Sequence, residues 1–441
     1  MSESTLTETQ AVLGSFTADT FAAHLATQTS APAWWLARKR AAFATFASLP
    51  MPKRGDEAWR FSSTGTLTLD GFNLPSARPA LPSVALDLSA VTPLASLSFL
   101  NNELVASTPV SAEVAAKGVI VTTLLEAATK HADLLKTHFM AQPQKLGSEK
   151  FAALHTAFVT GGAFIYVPRG VELNDPIVVT HSAAGAGTAV FPHTLVVAEE
   201  NSKVTVVDYF ASAAAAAQFA CGANDLYAGH GADLVYIAAQ NWSADTLSLQ
   251  FNSTVVRRDA RVKSLNLHLG GRQARHESLS QLQAPGGLSE MLALTITDGT
   301  QEFDQRTLQI HQAPNTKSDL LYKNALRDKS RTIFSGLIVV DPDAQKTDAY
   351  QSNRNLMLSD DAEANSLPGL EIQANDVRCT HGATSSRIDP DQEFYLQSRG
   401  IAKTAADELL TFGFFEEVLA RLDHEAIRDS LRALIRTKFK N

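Results

Sequence analysis

Cys379 and His381 belong to the densest cluster of chemically competent side chains in the sequence, the segment DVRCTHGAT at positions 376–384. Residues two apart on an extended strand share a face, so the thiol and the imidazole would lie within a few ångströms of each other. Sulfur and imidazole nitrogen both suit iron or zinc, and further ligands would have to come from elsewhere. The alternative is a buried cysteine beside a hydrogen-bonded histidine, and the spacing alone leaves both interpretations open.

The other candidates are expected to be structural. Single histidines on or beside predicted strands usually satisfy local hydrogen bonds; these are His193, His230, His268, His276 and His311. Cys221, in AAQFACGAN, has the surroundings of a small buried hydrophobe. The run from Asp343 to Asn355 lacks metal-ligand spacing and is too polar for a core, so we expect it to form a solvated or interfacial strand.

Several common catalytic motifs are absent from the sequence. It contains no Gly-Lys-Ser/Thr, no Gly-x-Ser-x-Gly, no His-Glu-x-x-His and no Cys-x-x-Cys. Gly185 and Gly187 lack the later glycine and the following helix of a dinucleotide fingerprint. Ordinary hydrolase, kinase and dehydrogenase functions therefore have no support.

The composition indicates which classes of binding partner and which cellular compartment to expect. Lys and Arg total 38 against 46 Asp and Glu, so no basic surplus favours nucleic acid or an anionic membrane as the main partner. Two cysteines in 441 residues favour a reducing cytoplasm over a disulfide-stabilised secreted protein. We expect no signal peptide, because the first 16 residues contain no basic residue. The longest uncharged stretch, 176–198, is too interrupted by polar residues, glycine and proline to span a membrane.

The elements that must position Cys379 and His381 fall into three regions. Helical spacing predicts two helices over residues 17–49 and more over 112–160, with a Pro- and Ser-rich irregular segment over 65–110 between them. After residue 161, short β-branched runs recur for over 200 residues with no helical run between them. A sandwich, a barrel and a β-solenoid all fit this pattern, and the short connections favour a solenoid whose ends the flanking helices cover.

The C-terminal residues return to helical spacing with an unusually wide apolar face. One stripe contains Ala405, Leu409, Phe412, Phe415, Leu419 and Leu422, and a second contains Leu410, Phe414 and Val418. The predicted fold is therefore mainly β with helical ends. Its expected domains are residues 1–160, an N-terminal helical domain with the irregular segment, 161–388, the β-solenoid core, and 389–441, a C-terminal helical domain.

The stretch around the Cys-x-His pair resembles the SufB/SufD family of iron–sulfur cluster assembly proteins. The resemblance extends from His311 to Leu422 and rests on AQKTDAYQSNRNL, CTHGAT, FYLQSRGI and FGFFEEVL. Upstream, RGDEAWRF at 54–61 resembles the family's N-terminal motif. SufB-type members are usually longer and richer in cysteine, so this chain resembles the other branch. It departs from the family after the pair, where Ser385, Ser386 and Arg387 replace a common Gly-Gln-Leu.

The resemblance implies a right-handed parallel β-helix between helical domains, in a complex with a SufB-type paralogue and two copies of the ABC ATPase SufC. ATP hydrolysis would then belong to SufC, which would dock on the C-terminal helices at the expected residues Leu410, Phe414, Phe415 and Val418. Cys379 and His381 would lie at the SufB interface and act as ligands of a transient iron or iron–sulfur cluster.

By the same resemblance, no cofactor is expected to bind stably to this chain alone. A reduced flavin in the complex and a homodimer of the isolated chain both stay open.

Two alternative functions stay open beside this one. The chain could be the SufB-type primary cluster scaffold, or it could be a β-helix enzyme acting on acidic sugars. Such an enzyme needs charged groups along one face of the solenoid. Arg257, Arg258, Arg261 and Lys263 could supply them, but their spacing puts them on mixed faces.

Overall fold

The computed structural model describes residues 13–75, 86–88 and 91–440. Residues 76–85 and 89–90 of the expected irregular segment lie outside the described residues. The centre of the molecule is a β-solenoid of about eight turns, which confirms the predicted fold class. Its strands are β1 (Ala95–Leu100), β2 (Glu103–Thr108), β3 (Ile120–Thr123), β4 (Ala163–Val167), β5 (Ile177–Ala183), β6 (Thr188–Val190), β7 (His193–Ala198), β8 (Lys203–Ser212), β9 (Gln218–Ala228), β10 (Asp233–Asn241), β11 (Leu247–Val256), β12 (Arg261–His268), β13 (Gln273–Leu282), β14 (Leu288–Thr297), β15 (Glu302–His311), β16 (Lys317–Leu326), β17 (Arg331–Val340), β18 (Asp348–Met357), β19 (Glu363–Ile372) and β20 (Arg378–Arg387).

From β7 onward, consecutive strands of the solenoid alternate between two sheets. Sheet A has the order β19-β17-β15-β13-β11-β9-β7-β4-β3, and sheet B has the order β2-β1-β5-β8-β10-β12-β14-β16-β18-β20. From β7 onward, each strand pairs in parallel with the strand two positions later, so one turn consists of one strand from each sheet. Because the chain moves to the other sheet after every strand, it needs no crossover helix. Strands β1, β2 and β3, which precede residue 161, extend the N-terminal ends of the two sheets.

Alternate residues of each strand face the space between the sheets, here called the lumen. Its first turns are lined by aliphatic side chains such as Val179, Val206 and Leu234. Later turns are lined increasingly by buried polar side chains, among them His268, Gln305 and Asn324. The lumen therefore changes from apolar to polar along the solenoid.

Most helices cover the outer faces of the two sheets rather than the ends that the sequence led us to expect. On sheet A lie Ala18–Ala26, Ala33–Ser48, Leu124–Lys130, Ala132–His138 and Glu149–Phe158. The short helix Ala112–Ala116 instead packs through Val114 against the apolar cluster that lines the first turns of the lumen. Pro390–Ser398, Lys403–Leu419 and Glu425–Lys440 follow the last strand, and the latter two pack on sheet B. The two helices expected within 17–49 are thus confirmed. Among the described helices, none has the length and apolar character required to cross a membrane.

Two helices of the N-terminal region cap each other with buried lysines. Lys39, on Ala33–Ser48, donates from Nζ to the carbonyl oxygens of Ala157 (3.1 Å) and Val159 at the end of Glu149–Phe158. Lys150, on Glu149–Phe158, donates from Nζ to the carbonyl oxygens of Phe46 and Leu49, both at 2.7 Å. A helix ends in carbonyl groups that its own backbone leaves unpaired. Each lysine therefore satisfies the C terminus of the other helix.

The segment RGDEAWRF holds the N-terminal region to sheet A. The Arg275 guanidinium lies 3.9 Å from the centre of the Trp59 ring and donates to the carbonyl oxygens of Ala58 (2.9 Å) and Leu146 (2.7 Å). The Trp59 indole donates to the carbonyl oxygen of Gly147 at 2.7 Å. This N-terminal motif thus serves as a contact with residues more than 200 positions away in the sequence.

Candidate functional site

Cys379 and His381 lie on β20, the last strand of sheet B. In the parallel register with β18, Cys379 is opposite Ala349 and His381 is opposite Gln351. Ala349 and Gln351 are buried and alternate with exposed neighbours, so they face the lumen. Cys379 and His381 therefore share a face, as their spacing predicts, and that face closes the far end of the lumen.

The Cys379 side chain is half-buried and packs against an apolar cluster formed by Ile338, Val340, Ala344, Ala349 and Ala374. Burial raises the pKa of the Cys379 thiol, a backbone hydrogen bond with Ala349 partly opposes this, and the charge of Asp348 raises it further. The thiol is thus protonated at neutral pH, the form that binds metal poorly. Alone in this chain, Cys379 behaves largely as a core residue.

His381 is exposed, because it lies on the last turn of the solenoid. Within residues 13–75, 86–88 and 91–440, no three side chains of His, Cys, Asp or Glu are grouped so that they could hold a metal ion. The Cys379–His381 pair is therefore an incomplete site, and a metal bound there needs ligands from outside the described chain.

The last turn presents two long unpaired strand edges. Strands β19 and β20 have ten residues each, and within the described residues neither pairs with a strand on its outer side. Burial falls sharply from β18 to β20, and Ile372 at the end of β19 is 40% exposed. Unpaired N–H and C=O groups along such an edge form a template for another strand. The site thus lies at an edge suited to pairing with a second protein.

The polar run 343–355 contradicts the sequence-based expectation, because its lumen-facing residues are buried. Gln351, Asn353 and Asn355 are 0%, 0% and 2% exposed. The Asn355 Nδ2 atom lies 3.1 Å from Asn353 Oδ1 and 3.2 Å from Ser385 Oγ, and the Ser366 hydroxyl donates to Asn353 Oδ1 at 2.7 Å. The two asparagines bond to each other and to the last turn, and Gln351 donates to the carbonyl oxygen of Gly336, which is why such a polar strand can be buried. The period-two alternation within the run was the signal that could have revealed this.

The four residues expected to dock a partner ATPase are placed very differently. Phe415 and Val418 are completely buried against the outer face of sheet B. Phe414 is partly buried and lies under Lys323, whose Nζ is 4.5 Å from the ring centre. Leu410 is partly exposed. Packing within the chain thus uses most of the wide apolar face.

Other apolar side chains of the C-terminal helices are more exposed than those four. Phe394 and Tyr395 are 71% and 56% exposed, on a helix without a buried residue, and Leu409 is 53% exposed. Sequence reasoning missed the aromatic pair. Its position in a short helix without an apolar stripe was the available signal.

Most of the remaining histidines are buried in packing contacts. His193, His268, His276 and His311 are all at most 6% exposed, whereas the His230 side chain is half-exposed. Burial lowers the pKa of His276 to about 3 and that of His311 to about 4, so both are neutral at physiological pH. Cys221 is fully buried with Sγ 3.4 Å from the Phe151 carbonyl oxygen, and burial raises the pKa of its thiol.

A buried polar chain that the sequence did not indicate joins the N-terminal region to sheet A. His155 Nε2 lies 2.9 Å from His193 Nδ1, and His193 Nε2 lies 3.4 Å from Asp225 Oδ2. His155 Nδ1 lies 2.7 Å from the carbonyl oxygen of Cys221, so it must donate there. His155 Nε2 is then the acceptor, because burial lowers the His155 pKa and keeps the ring neutral.

Two family models match the chain. The model described as SUF system FeS cluster assembly, SufBD core domain, matches residues 179–414, and the model described as SufBD protein N-terminal region matches residues 19–179. The iron-sulfur cluster assembly protein SufD of Bacillus subtilis is 30% identical over 415 residues, which cover 93% of this chain and 95% of that protein. SufD of Escherichia coli is 31% identical over 298 residues, covering 66% and 70% respectively.

Proposed function

The chain belongs to the SufBD family of iron–sulfur cluster assembly proteins and is SufD-like, and on this basis we propose that it is the SufD-type subunit of a SufBCD-type scaffold. It pairs with a SufB-type paralogue through the last turn of the solenoid. A SufC-type ATPase docks on its C-terminal helices and supplies ATP hydrolysis, so this chain acts as a scaffold and not as an enzyme. The complex works in a reducing compartment such as the cytoplasm, where Cys379 stays a free thiol.

The exposed imidazole at the open edge is the observation that carries this proposal. His381 lies beside ten-residue strand edges without a described partner strand, and the described residues of its own chain offer no complete ligand set. A partner strand alongside β20 would bring further ligands to His381 and would bury the edge at the same time. The cargo, iron or a nascent cluster, is then held transiently between two chains.

His381 and Cys379 have different roles in this proposal. His381 is accessible and serves as the first ligand. Cys379 joins only after it loses its proton, and the raised pKa of its thiol makes that loss dependent on a nearby cation. An incoming ferrous ion or a basic group of the partner supplies that charge.

A His381→Ala variant tests the assignment. We expect the complex to assemble normally while cluster formation on it falls severely, measured by visible absorption and iron content after anaerobic reconstitution. His230→Ala is the matched control, because His230 is also exposed but lies on a turn far from β20. Undiminished cluster yield in His381→Ala would rule out the role of His381, and a stable stoichiometric cluster on the isolated wild-type chain would assign it the SufB-type role instead.

ATPase docking requires a revised set of residues. Phe415 and Val418 hold their helix to sheet B, so we propose that the ATPase contacts the outward side of the C-terminal helices. This side includes Leu410, one of the four residues predicted from the sequence, and the exposed Leu409. Phe394 and Tyr395 extend this surface, since their helix packs against Lys403–Leu419.

Charge substitutions test this docking surface. Leu409→Glu should abolish co-purification of the ATPase and leave the thermal unfolding temperature of the isolated chain unchanged, because the side chain is exposed. Leu104→Glu, which changes a 40% exposed leucine on β2, is the matched control and should retain the ATPase. Normal ATPase recovery with both Leu409→Glu and Phe394→Glu would refute the surface.

A further inference from the structure

Gln351 is a buried amide directly beside His381. Its side chain is completely buried, and its Nε2 donates to the carbonyl oxygen of Gly336 on β17 at 3.2 Å. Its Oε1 atom has no hydrogen-bond partner among the described residues. Buried polar atoms are almost always paired, so this carbonyl oxygen requires an explanation.

A glycine in the middle of β17, Gly336, leaves the space that the Gln351 amide occupies. A Cβ atom on Gly336 would lie 2.4 Å from Gln351 Oε1 and 2.8 Å from Gln351 Cδ, so any other residue at position 336 would displace the side chain. Glycine in the middle of a strand weakens the strand. The pairing of Gly336 with Gln351 therefore fixes the position of the amide in the lumen at the expense of strand stability.

The neighbours of Gln351 in its own column of sheet B are an apolar residue and His381. Leu320 on β16 is in register on one side and has no polar atom to offer. His381 on β20 is in register on the other side, at the strand spacing of about 4.8 Å. Of these two neighbours, His381 is the one with a side-chain N–H to donate, although the two side chains are not hydrogen-bonded in this structure.

We propose that Gln351 is a positioning residue for His381, and that its Oε1 accepts a hydrogen bond from Nδ1–H of the imidazole. This bond selects the tautomer that leaves Nε2 without a proton, and it aims Nε2 out of the open end of the solenoid. Histidines that bind metals generally donate their other ring N–H to a fixed acceptor in this way. The expected effect on cargo binding rests on the proposed function, whereas the assignment of the His381 tautomer does not.

Nitrogen-15 NMR of the full-length chain measures the tautomer directly. The signals of His381 are assigned by comparison with His381→Ala. Its two ring nitrogens are then followed at alkaline pH, where an imidazole is neutral. We expect the Nδ1–H form to predominate in the wild type and to fall about five-fold relative to Nε2–H in Gln351→Met, the difference made by one ordinary hydrogen bond. Gln351→Glu retains an acceptor oxygen and should retain the Nδ1–H form.

Gln309→Met is the matched control. Gln309 is another fully buried lumen amide, on β15, and both of its polar atoms lack partners. Its substitution makes the same chemical change two turns away from the last strand and should leave the His381 signals unchanged. An equal effect of Gln309→Met and Gln351→Met, or Nε2–H predominance in the wild type, would overturn the proposal.

A measurement of ferrous ion binding to the assembled complex distinguishes the proposed bond between Gln351 and His381 from the proposed role of His381 in cargo binding. Gln351→Met should weaken anaerobic ferrous binding by about 10- to 100-fold, as loss of the acceptor behind a metal-bound histidine generally does. Gln351→Glu should restore it. If the NMR result holds and ferrous binding does not change, the bond between Gln351 and His381 stands while the role of His381 in cargo binding fails.

Discussion

The two sheets of the solenoid are covered by helices in physically different ways. On sheet A, the contact with the N-terminal region contains fully buried ions: Arg275 pairs with Glu277 at 2.7 Å and with Asp304, and Arg306 pairs with Asp304 at 2.5 Å. On sheet B, the contact is apolar, and its ion pairs are partly exposed, as in Arg421 with Asp319 at 2.5 Å. Displacing buried ions would leave them without partners, whereas an apolar face with a polar rim can shift at a smaller cost. We therefore expect the C-terminal helices to detach from the solenoid more readily than the N-terminal region does.

The largest effect should come from Arg275→Met. Removing the guanidinium leaves Glu277 buried without its cation and leaves Asp304 with Arg306 as its cationic partner, and breaking a buried ion pair from one side costs about 3–5 kcal/mol. Burial already raises the pKa of Glu277, so the variant should also take up a proton on folding. Urea denaturation monitored by the combined fluorescence of the four tryptophans measures the change in the free energy of unfolding.

Arg421→Met is the comparison on sheet B. Its partner Asp319 is about one third exposed, so the cost should stay within about 1 kcal/mol. Similar losses for Arg275→Met and Arg421→Met would remove the distinction between the two contacts.

Leu419→Ala should have a somewhat smaller effect than Arg275→Met, and a local one. Leu419 is completely buried between its helix and sheet B, and truncation of a buried leucine costs about 3 kcal/mol. We expect amide hydrogen exchange to accelerate within 403–440 and to stay unchanged on sheet A, because the apolar contact can open by itself. Uniform acceleration through the solenoid would show that the C-terminal helices are as firmly fixed as the N-terminal region.

The smallest effect, measured per pH unit, is the pH dependence that the buried lysines of the N-terminal region contribute to stability. Burial lowers the pKa of Lys39 to about 7 and that of Lys150 to about 8. The unfolded chain binds more protons than the folded chain between these values and the ordinary lysine pKa of 10.5. The contribution to the free energy of unfolding is thus lowest below pH 7 and rises with pH through this window, by at most about 1.4 kcal/mol per pH unit for each lysine.

Lys39→Met should reduce this slope, measured by urea denaturation from pH 7 to 10. Lys130 has a side chain that is 65% exposed, so Lys130→Met should leave the slope unchanged. Lysines on the sheet B side have carboxylate partners, as Lys438 has Asp298 at 2.7 Å, so their substitution should change the slope less. Equal slopes for the wild type and Lys39→Met would contradict the expected pH dependence.

Local pattern predicted the fold well, because the solenoid is built from contacts between strands close in sequence. Period-two alternation, short connections and the absence of crossover helices are all visible in the sequence. The position of the helices could not be predicted, because an amphipathic stripe does not show whether the helix covers an end or a face of the solenoid. RGDEAWRF was recognisable as a motif, but its partner Arg275 lies more than 200 residues later and only the folded chain brings them together.

At the site, the sequence predicted the shared face of Cys379 and His381 but not their unequal environments. Cys379 packs on side chains from β17, β18 and the connecting turns, and His381, only two residues later, is exposed. That difference depends on where the solenoid ends. Similarly, the width of the apolar face around Phe415 and Val418 was correctly noted, but its use was assigned to a partner because the sequence does not show that sheet B needs it.

The unpaired edge of β20 has a consequence for the energetics of the last turn. In a solenoid, stability is approximately a sum of terms between neighbouring turns, and a terminal turn has a neighbour on one side only. We therefore expect the strand that holds His381 to open, together with β19, before the strands from β8 to β18, and its amide protons to exchange faster than theirs. A strand added at this edge would supply the missing neighbour term, so protection of residues 378–387 directly reports occupancy of the edge.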